Sequence, residues 1–210
     1  MNSVKATTVL AVIALTLLAT GGCPTKQKTS QQKQTATSQP RIEKRTAPTE
    51  TGGNQYLNKK FGISFTIPDG MKLYTAENPG PLASQISSVN PIYLVNSDFT
   101  EENINVKVSE PISEDDLTGF KKMLDQNPQM NLPKYQRISV SFIKIGKQTK
   151  NKNAVEHVFM MQGNILGKLR QITFAHRGKG FTFTCATAVD RFEKANQQFF
   201  APLFASMDFK

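Results

Sequence analysis

The chain has 210 residues, with 26 Lys and Arg against 16 Asp and Glu, and it contains 2 Cys and no Trp. This length fits one domain of ordinary size together with some additional sequence. Two cysteines are too few for a disulfide-rich scaffold or a four-thiolate metal site. Because the one long uncharged apolar run lies at the N-terminus, a collagen, a coiled coil and a multi-span membrane protein are excluded as well.

Residues 1–22 have the organisation of a signal peptide. Lys5 supplies a positive n-region, and residues 6–22 carry no charge. The strongly apolar centre, residues 9–19, has the length of an h-region and is shorter than the roughly 20 residues that a membrane-spanning helix needs. The run ends in small residues, which suit the cleft of a signal peptidase, directly before Cys23.

The segment Leu17-Leu18-Ala19-Thr20-Gly21-Gly22-Cys23 resembles a bacterial lipobox, the motif in which the Cys thiol is diacylated and becomes the mature N-terminus. The resemblance implies lipidation at Cys23, and the alternative is an ordinary secretory signal with a Cys near its cleavage site. Each acyl CH₂ buried in a bilayer contributes about 0.8 kcal/mol, so two chains would anchor the protein stably. We therefore expect a protein of the bacterial cell envelope, lipid-anchored to the plasma or outer membrane, with its domain outside the cytoplasm.

Residues 23–55 predict the lipidated Cys followed by a disordered polar tether, in which Ile42 is the one residue with much apolar surface. Burial there cannot offset the conformational entropy of ordering the backbone. The tether carries six basic and two acidic side chains, and residues 56–210 carry 19 basic and 14 acidic ones. Much of the basic excess would thus lie beside a membrane that usually contains anionic lipid, and it does not indicate a nucleic-acid partner.

Residues 56–210 predict one α+β domain with a mostly antiparallel sheet. Apolar and polar residues alternate, as in half-buried strands, over residues 61–67, 104–108 and 138–142. After Phe142 the apolar phase shifts to Ile143 and Ile145, which indicates a bulge or a twist at that point.

Three further strands with short joins predict an antiparallel meander. The first places four residues on one face: Val155, His157, Phe159 and Met161. The second covers residues 169–174, and Arg177–Gly180 forms a hairpin loop after it. In the third strand, one face carries Phe181, Phe183 and Cys185, and the other face carries Thr182 and Thr184.

Two helices are predicted to pack on this sheet. Ser113 caps the first, and the acidic residues Glu114, Asp115 and Asp116 suit the positive end of its dipole. An apolar stripe follows and ends before Pro128; its members are Leu117, Phe120 and Leu124. The second helix starts near Asp190 and is interrupted near Phe200 by Pro202. Helices on a sheet give an α+β sandwich.

Three segments of the domain suggest a family: the opening Tyr56 to Met71, the strand Gly180 to Ala186, and the closing Ser206-Met207-Asp208-Phe209. With these, residues 56–210 resemble the PsbP-like group of α/β/α sandwiches, which includes the photosystem II extrinsic protein PsbP and envelope lipoproteins of the DcrB type. The resemblance implies an α/β/α sandwich that acts as a binding or assembly module, usually without catalysis.

The residues that could carry chemistry are few. His157 alternates in phase with Phe159, and His176 lies at the mouth of the hairpin. Two His and one further Cys supply too few ligands for zinc without carboxylates. Cys185 could act as a nucleophile beside a His, but its apolar neighbours favour a buried and unreactive thiol. We expect no catalytic residue, no metal and no cofactor, and therefore not an enzyme.

Each of two charged clusters has a structural and a functional interpretation. The acidic run Glu114–Asp116 lacks the spacing of a calcium loop, and helix capping explains it. A basic turn contains Lys147, Lys150 and Lys152 together with Asn151 and Asn153. It could bind an anionic lipid or partner, although such a cluster is more often a solvated tip.

The leading hypothesis is a membrane-anchored envelope lipoprotein with a non-catalytic module that binds an unknown envelope protein or another ligand. The first alternative is a carrier that holds a small ligand in a cavity between the sheet and the helices. The second alternative is an unrecognised hydrolase that depends on His157 or His176.

Overall fold

The computed structural model describes residues 54–96, 102–110, 113–126, 134–163 and 166–210. Its strands are β1 (Gln55–Asn58), β2 (Ile63–Thr66), β3 (Met71–Thr75), β4 (Ile92–Asn96), β5 (Asn103–Ser109), β6 (Tyr135–Ile145), β7 (Lys152–Gln162), β8 (Leu166–His176), β9 (Lys179–Ala188) and β10 (Asp208–Phe209). Its helices are α1 (Glu114–Gln126), α2 (Phe192–Ala195) and α3 (Ala201–Ser206). None of the helices in these ranges is long and apolar enough to cross a bilayer.

The strands form two antiparallel sheets. Seven strands pair in the order β3-β4-β5-β9-β8-β7-β6, and the second sheet has the order β1-β2-β10. The predicted α+β class with a mostly antiparallel sheet is confirmed, and so is the meander, because β6 to β9 are neighbours in sequence order. Gln55, predicted to be the last residue of the tether, is instead the first residue of β1.

One face of the seven-stranded sheet forms the large core. Phe174 and Phe183 on this face pack among the smaller sheet and the C-terminal helices, with the Phe183 ring 5.7 Å from that of Phe204 and 6.1 Å from that of Phe65. Cys185 belongs to the same cluster and is fully buried. These contacts hold β1, β2, α2 and α3 against the sheet.

Part of the opposite face is covered by α1, which contacts β6, β7 and β8. Leu117 and Leu124 of the helix form a small second core with Val155 of β7. The neighbouring residue Ala154 belongs to the large core, as expected where successive residues of a strand face opposite sides. Helices therefore lie on both faces of the sheet, as in the predicted α/β/α sandwich.

Helix α1 confirms the predicted cap. The Asp116 backbone N–H donates to Ser113 Oγ at 3.2 Å, and the Ser113 N–H donates back to the Asp116 carboxylate at 2.6 Å. This reciprocal pair is a capping box. At the other end of the helix, the Arg137 guanidinium donates to the Leu124 carbonyl at 2.8 Å, which satisfies a carbonyl that the helix leaves without a partner.

The predicted break of the second helix is also confirmed. Between α2 and α3 the backbone widens into one π-helical turn, Asn196–Phe200. Pro202 then occupies the first turn of α3, where the missing N–H costs no hydrogen bond. In this turn Phe200 is buried in the core, whereas the preceding residue, Phe199, is more exposed.

Two local predictions are wrong in detail. β6 pairs with β7 without interruption from Ser139 to Ile145, and the bulge lies earlier, between Arg137 and Ser139. The apolar phase shifts because Val140 packs with the α1 cluster whereas Ile143 packs with the large core. The hairpin loop is a two-residue turn at Arg177 and Gly178, whose φ values of 48° and 66° suit a type I′ turn, so Lys179 and Gly180 belong to β9.

Candidate functional site

A cleft of about 370 Å³ opens at the end of the large sheet where β7 and β8 separate. The β7–β8 ladder reaches only as far as Val155 and Thr173, although β7 starts at Lys152 and β8 continues to His176. These strand ends pair with β6 and with β9 but not with each other, which leaves the space between them. The cleft is lined by Lys144, Lys150, Asn151, Lys152, Asn153, His176 and Phe209.

The basic turn that supplies most of this lining is held in place by backbone contacts. The Gly146 N–H donates to the Phe204 carbonyl and the Lys147 N–H donates to the Met207 carbonyl, both at 2.9 Å. Gly146 has φ of +91°, and a Cβ there would lie 2.8 Å from the Phe209 ring. A glycine is therefore needed for the chain to leave β6 at this angle and pass so close to β10.

Lysine side chains give the cleft a positive charge. Lys144 and Lys150 are exposed, and Lys150 Nζ lies 3.7 Å from the Asp208 carboxylate. Lys152 Nζ lies 5.9 Å from the centre of the Phe209 ring. Asp208 is the single acidic residue between Lys144 and Asn153 or between Met207 and Lys210. Cationic and amide donors thus outnumber the acceptors around the opening.

His176 contributes an uncharged donor or acceptor rather than a further cation. Its ring is 8% exposed, contacts Phe209 and makes a 3.2 Å hydrogen bond to the Gly62 carbonyl. Burial lowers the pKa of His176, and the positive charges of Lys152 and Arg177 lower it further. His176 and the basic turn are far apart in the sequence, and the structure brings them to one site.

The other histidine lies on the opposite side of the sheet and takes no part in the cleft. His157 is 2% exposed, stacks on Phe159 and hydrogen-bonds through Nε2 to the Tyr135 hydroxyl. Burial lowers the pKa of His157 to about 4 and raises that of Tyr135 to about 12. Both groups are neutral at pH 7, and their hydrogen bond fastens β6 to β7.

Cys185, the one cysteine within the described ranges, does not pair with either histidine. Cys185 lies in the large core, whereas His157 lies on the face of α1. His176 is opposite Lys179, six residues along β9 from Cys185, which corresponds to about 20 Å of strand. Burial also raises the pKa of the Cys185 thiol.

The acidic run is occupied by its capping role. The Ser113 backbone N–H and hydroxyl both donate hydrogen bonds to the Asp116 carboxylate. These bonds lower the pKa of Asp116 and keep its carboxylate at the end of the helix. Over the described ranges, no three His, Cys, Asp or Glu side chains come together as a metal site. The predicted lipidation site, Cys23, lies outside the described residues.

No protein-family model matches the chain, and neither does any curated protein. Among solved structures, it is similar to cyanobacterial PsbP (CyanoP) from Synechocystis, with 18% identity, 79% of this chain and 98% of that chain covered, and a TM-score of 0.49. It is also similar to LpqN of Mycobacterium tuberculosis, a protein involved in cell envelope biogenesis. The identity is 15%, 78% of this chain and 90% of that chain are covered, and the TM-score is 0.48.

A third similar structure comes from Bacteroides thetaiotaomicron, with 12% identity over 76% of this chain and a TM-score of 0.51. The chain spans about half of that protein, 49% of its length. At such identities the likeness concerns the fold alone. The solved structures similar to this chain thus include a PsbP, from the group that the sequence resembles.

Proposed function

We propose that this protein is a lipid-anchored module of the bacterial envelope and that its folded domain binds an anionic partner, without catalysis, through the basic cleft. The observation that carries the proposal is the cleft itself. Lys144, Lys150 and Lys152 converge there with two asparagine side chains on a turn that is fixed to the C-terminal segment.

The lining chemistry favours a phosphate or carboxylate group. Lysine ammonium groups and asparagine amides donate hydrogen bonds, and ammonium groups also attract negative charge. His176 lies at the floor as a neutral group. Because the turn is held by backbone hydrogen bonds, little conformational entropy is lost when a ligand binds.

Several features favour a binding module over the alternatives. Catalysis by a thiol would need Cys185 to be accessible and beside a base, and it is buried away from both histidines. A carrier would need space between the sheet and the helices, and phenylalanine rings fill this region, among them Phe65, Phe183 and Phe204.

The anchor rests on the sequence of the leader and on the lipobox resemblance at Cys23. Diacylation there would place the tether, residues 24–54, between the bilayer and β1. The domain would then act close to a membrane surface.

Titration of the full-length, detergent-solubilised protein with inorganic phosphate tests the cleft. In NMR spectra, we expect the backbone amides of residues 147–153 to shift with phosphate. Exchange of Lys144 and Lys150 for Gln should weaken this response severalfold, because each removes an exposed cation from the opening. Equal shifts at both ends of the sheet, or an unchanged response in this variant, would contradict the proposal.

The matched control exchanges Lys122 and Lys194 for Gln. Both are exposed lysines outside the cleft, so this variant loses the same charge. We expect it to bind phosphate at residues 147–153 as the parent does.

A further inference from the structure

We infer that the end of the domain around the cleft is a docking surface for anionic phospholipid headgroups of the membrane that anchors the protein. This deepens the proposed function, on which it rests, by naming the partner. We call this surface the basic end and define it as four segments: residues 59–62, 144–153, 176–180 and 207–210.

The basic end has a strong excess of positive charge. It contains nine basic side chains: Lys59, Lys60, Lys144, Lys147, Lys150, Lys152, Arg177, Lys179 and Lys210. The same four segments contain one acidic side chain, that of Asp208. Residues 56–210 as a whole carry an excess of only five basic side chains over acidic ones, so the charge is concentrated here.

Elsewhere in residues 56–210, acidic side chains outnumber basic ones, 13 to 10. Towards the other end of β8, Lys168 Nζ lies 3.0 Å from Glu193, and Arg170 Nε lies 2.7 Å from Glu156. The acidic run at the start of α1 follows the end of β5, where Ser109 pairs with Gly180, but α1 lies on the opposite face of the sheet from the C-terminal segment. The basic residues are therefore concentrated on the side of this end that carries the C-terminal segment, and that side suits an anionic surface.

The four segments are joined into one rigid surface. The Gly62 carbonyl accepts hydrogen bonds from the Lys210 N–H at 2.9 Å and from the His176 ring at 3.2 Å. The backbone of Lys147 is bonded to Met207. A fixed array of cations can meet several headgroups at once, and its attraction then sums over the array.

The composition of the surface favours lipid over an acidic protein. Protein interfaces generally have a core of accessible aromatic or aliphatic side chains. In the described ranges, the exposed large apolar residues all lie outside the basic end: Val89, Met123, Ile138, Phe142 and Leu166. A headgroup layer needs charge and no apolar anchor.

The point at which the tether joins the domain also suits this orientation. Gln55, the first residue of β1, lines a small cavity of about 110 Å³ together with Lys147 and Lys210. The tether thus reaches the domain beside the basic end. An acylated Cys23 would bring this end to the bilayer over the shortest span, and the basic side chains of the tether itself would add to the attraction.

The test uses the full-length protein, purified from a bacterial host and reconstituted with neutral phosphatidylcholine vesicles or with vesicles that also contain phosphatidylglycerol. A fluorophore is attached at Asn151→Cys, in the basic end, or at Leu166→Cys, near the other end of β7 and β8. Labelling is selective because Cys185 is buried and an acylated Cys23 has no free thiol. A headgroup nitroxide in the vesicles quenches fluorophores that lie at the surface.

We expect strong quenching at position 151 and weak quenching at position 166, only with phosphatidylglycerol, and loss of the difference in high salt. Each exposed lysine removed should lower the ratio of docked to undocked protein about fivefold. The variant that replaces Lys147, Lys150 and Lys179 with Gln should therefore lose docking. Its matched control replaces the exposed lysines Lys72, Lys122 and Lys194 and should dock normally.

Flotation of the same samples separates the anchor from the docking. Protein that floats with both kinds of vesicle, but is quenched equally at both positions, keeps its anchor and overturns the docking surface. Crosslinking at position 151 to an acidic protein in that case would assign the cleft to a protein partner. Flotation with phosphatidylglycerol vesicles alone supports docking and contradicts the anchor, and flotation with neither contradicts both.

Discussion

A buried histidine makes the domain sensitive to acid. His157 belongs to β7 and lies on the face of the sheet that packs against α1. Burial holds its pKa near 4 instead of the usual 6.5. Below pH 6.5 the unfolded chain therefore takes up a proton that folded His157 does not. The stability that the neutral histidine contributes is fully present above this pH and is lost as the pH falls towards 4.

This predicts a specific effect of exchanging His157 for Gln, which can still bond to Tyr135 but does not titrate. The free energy of unfolding of the parent should fall by about 2 to 3 kcal/mol more than that of the variant between pH 7 and pH 4.5. Urea unfolding at the two pH values measures this difference. Carboxylates titrate alike in both proteins and therefore cancel.

The exchange His176→Gln is the control, since the shift at His176 arises from burial and two neighbouring cations and is independent of His157. The variant should keep the acid sensitivity due to His157. If His157→Gln loses stability with acid as steeply as the parent, burial does not keep this side chain neutral.

At the level of elements, the turn from β6 to β7 positions the lysines of the cleft. Its geometry depends on Gly146, which combines a positive φ with close contact to the Phe209 ring. We predict that Gly146→Ala lowers the free energy of unfolding by about 1 to 3 kcal/mol, measured by urea denaturation.

Two other glycines separate the causes of this loss. Gly178 has φ of +66° with no atom near its Cβ position, so Gly178→Ala measures backbone strain alone. Gly119 lies within α1 in open space, and Gly119→Ala should stabilise the protein by about 0.5 to 1 kcal/mol. If Gly146→Ala costs no more than Gly178→Ala, the contact with Phe209 does not constrain the turn.

Local sequence patterns predicted the helices and strands that have one buried face and one exposed face. Ser113 and the stripe from Leu117 to Leu124 defined α1, and the alternation around His157 defined β7. β4, Ile92–Asn96, has four consecutive buried residues, so the alternation that identifies a half-buried strand is missing there. β3 and β10 are short, and their pairing depends on tertiary contacts.

The cleft was predictable only in part. Sequence proximity identified the basic turn, because its lysines lie within a few residues of one another. The addition of His176 and Phe209 depends on where β7 and β8 stop pairing and on the docking of β10. These are contacts between distant segments, and no local pattern encodes them.

At the level of the whole molecule, the distribution of charge matters more than its sum. The overall excess of basic residues is shared between residues 24–55 and one end of the domain. Both act at short range in salt, since the Debye length is about 8 Å under physiological conditions. They can therefore reinforce each other only if an anchor keeps the domain at the membrane.

This requirement makes the acylation of Cys23 the central prediction for the intact protein. In bacteria grown with radiolabelled palmitate, the parent should incorporate label and Cys23→Ala should not, because the thiol is the acceptor. Cys185→Ala is the matched control and should be labelled as the parent is, since its thiol lies in the core. Mature protein that carries a free thiol at residue 23 would contradict the lipid anchor, and label that persists in Cys23→Ala would show that the acyl group is attached elsewhere.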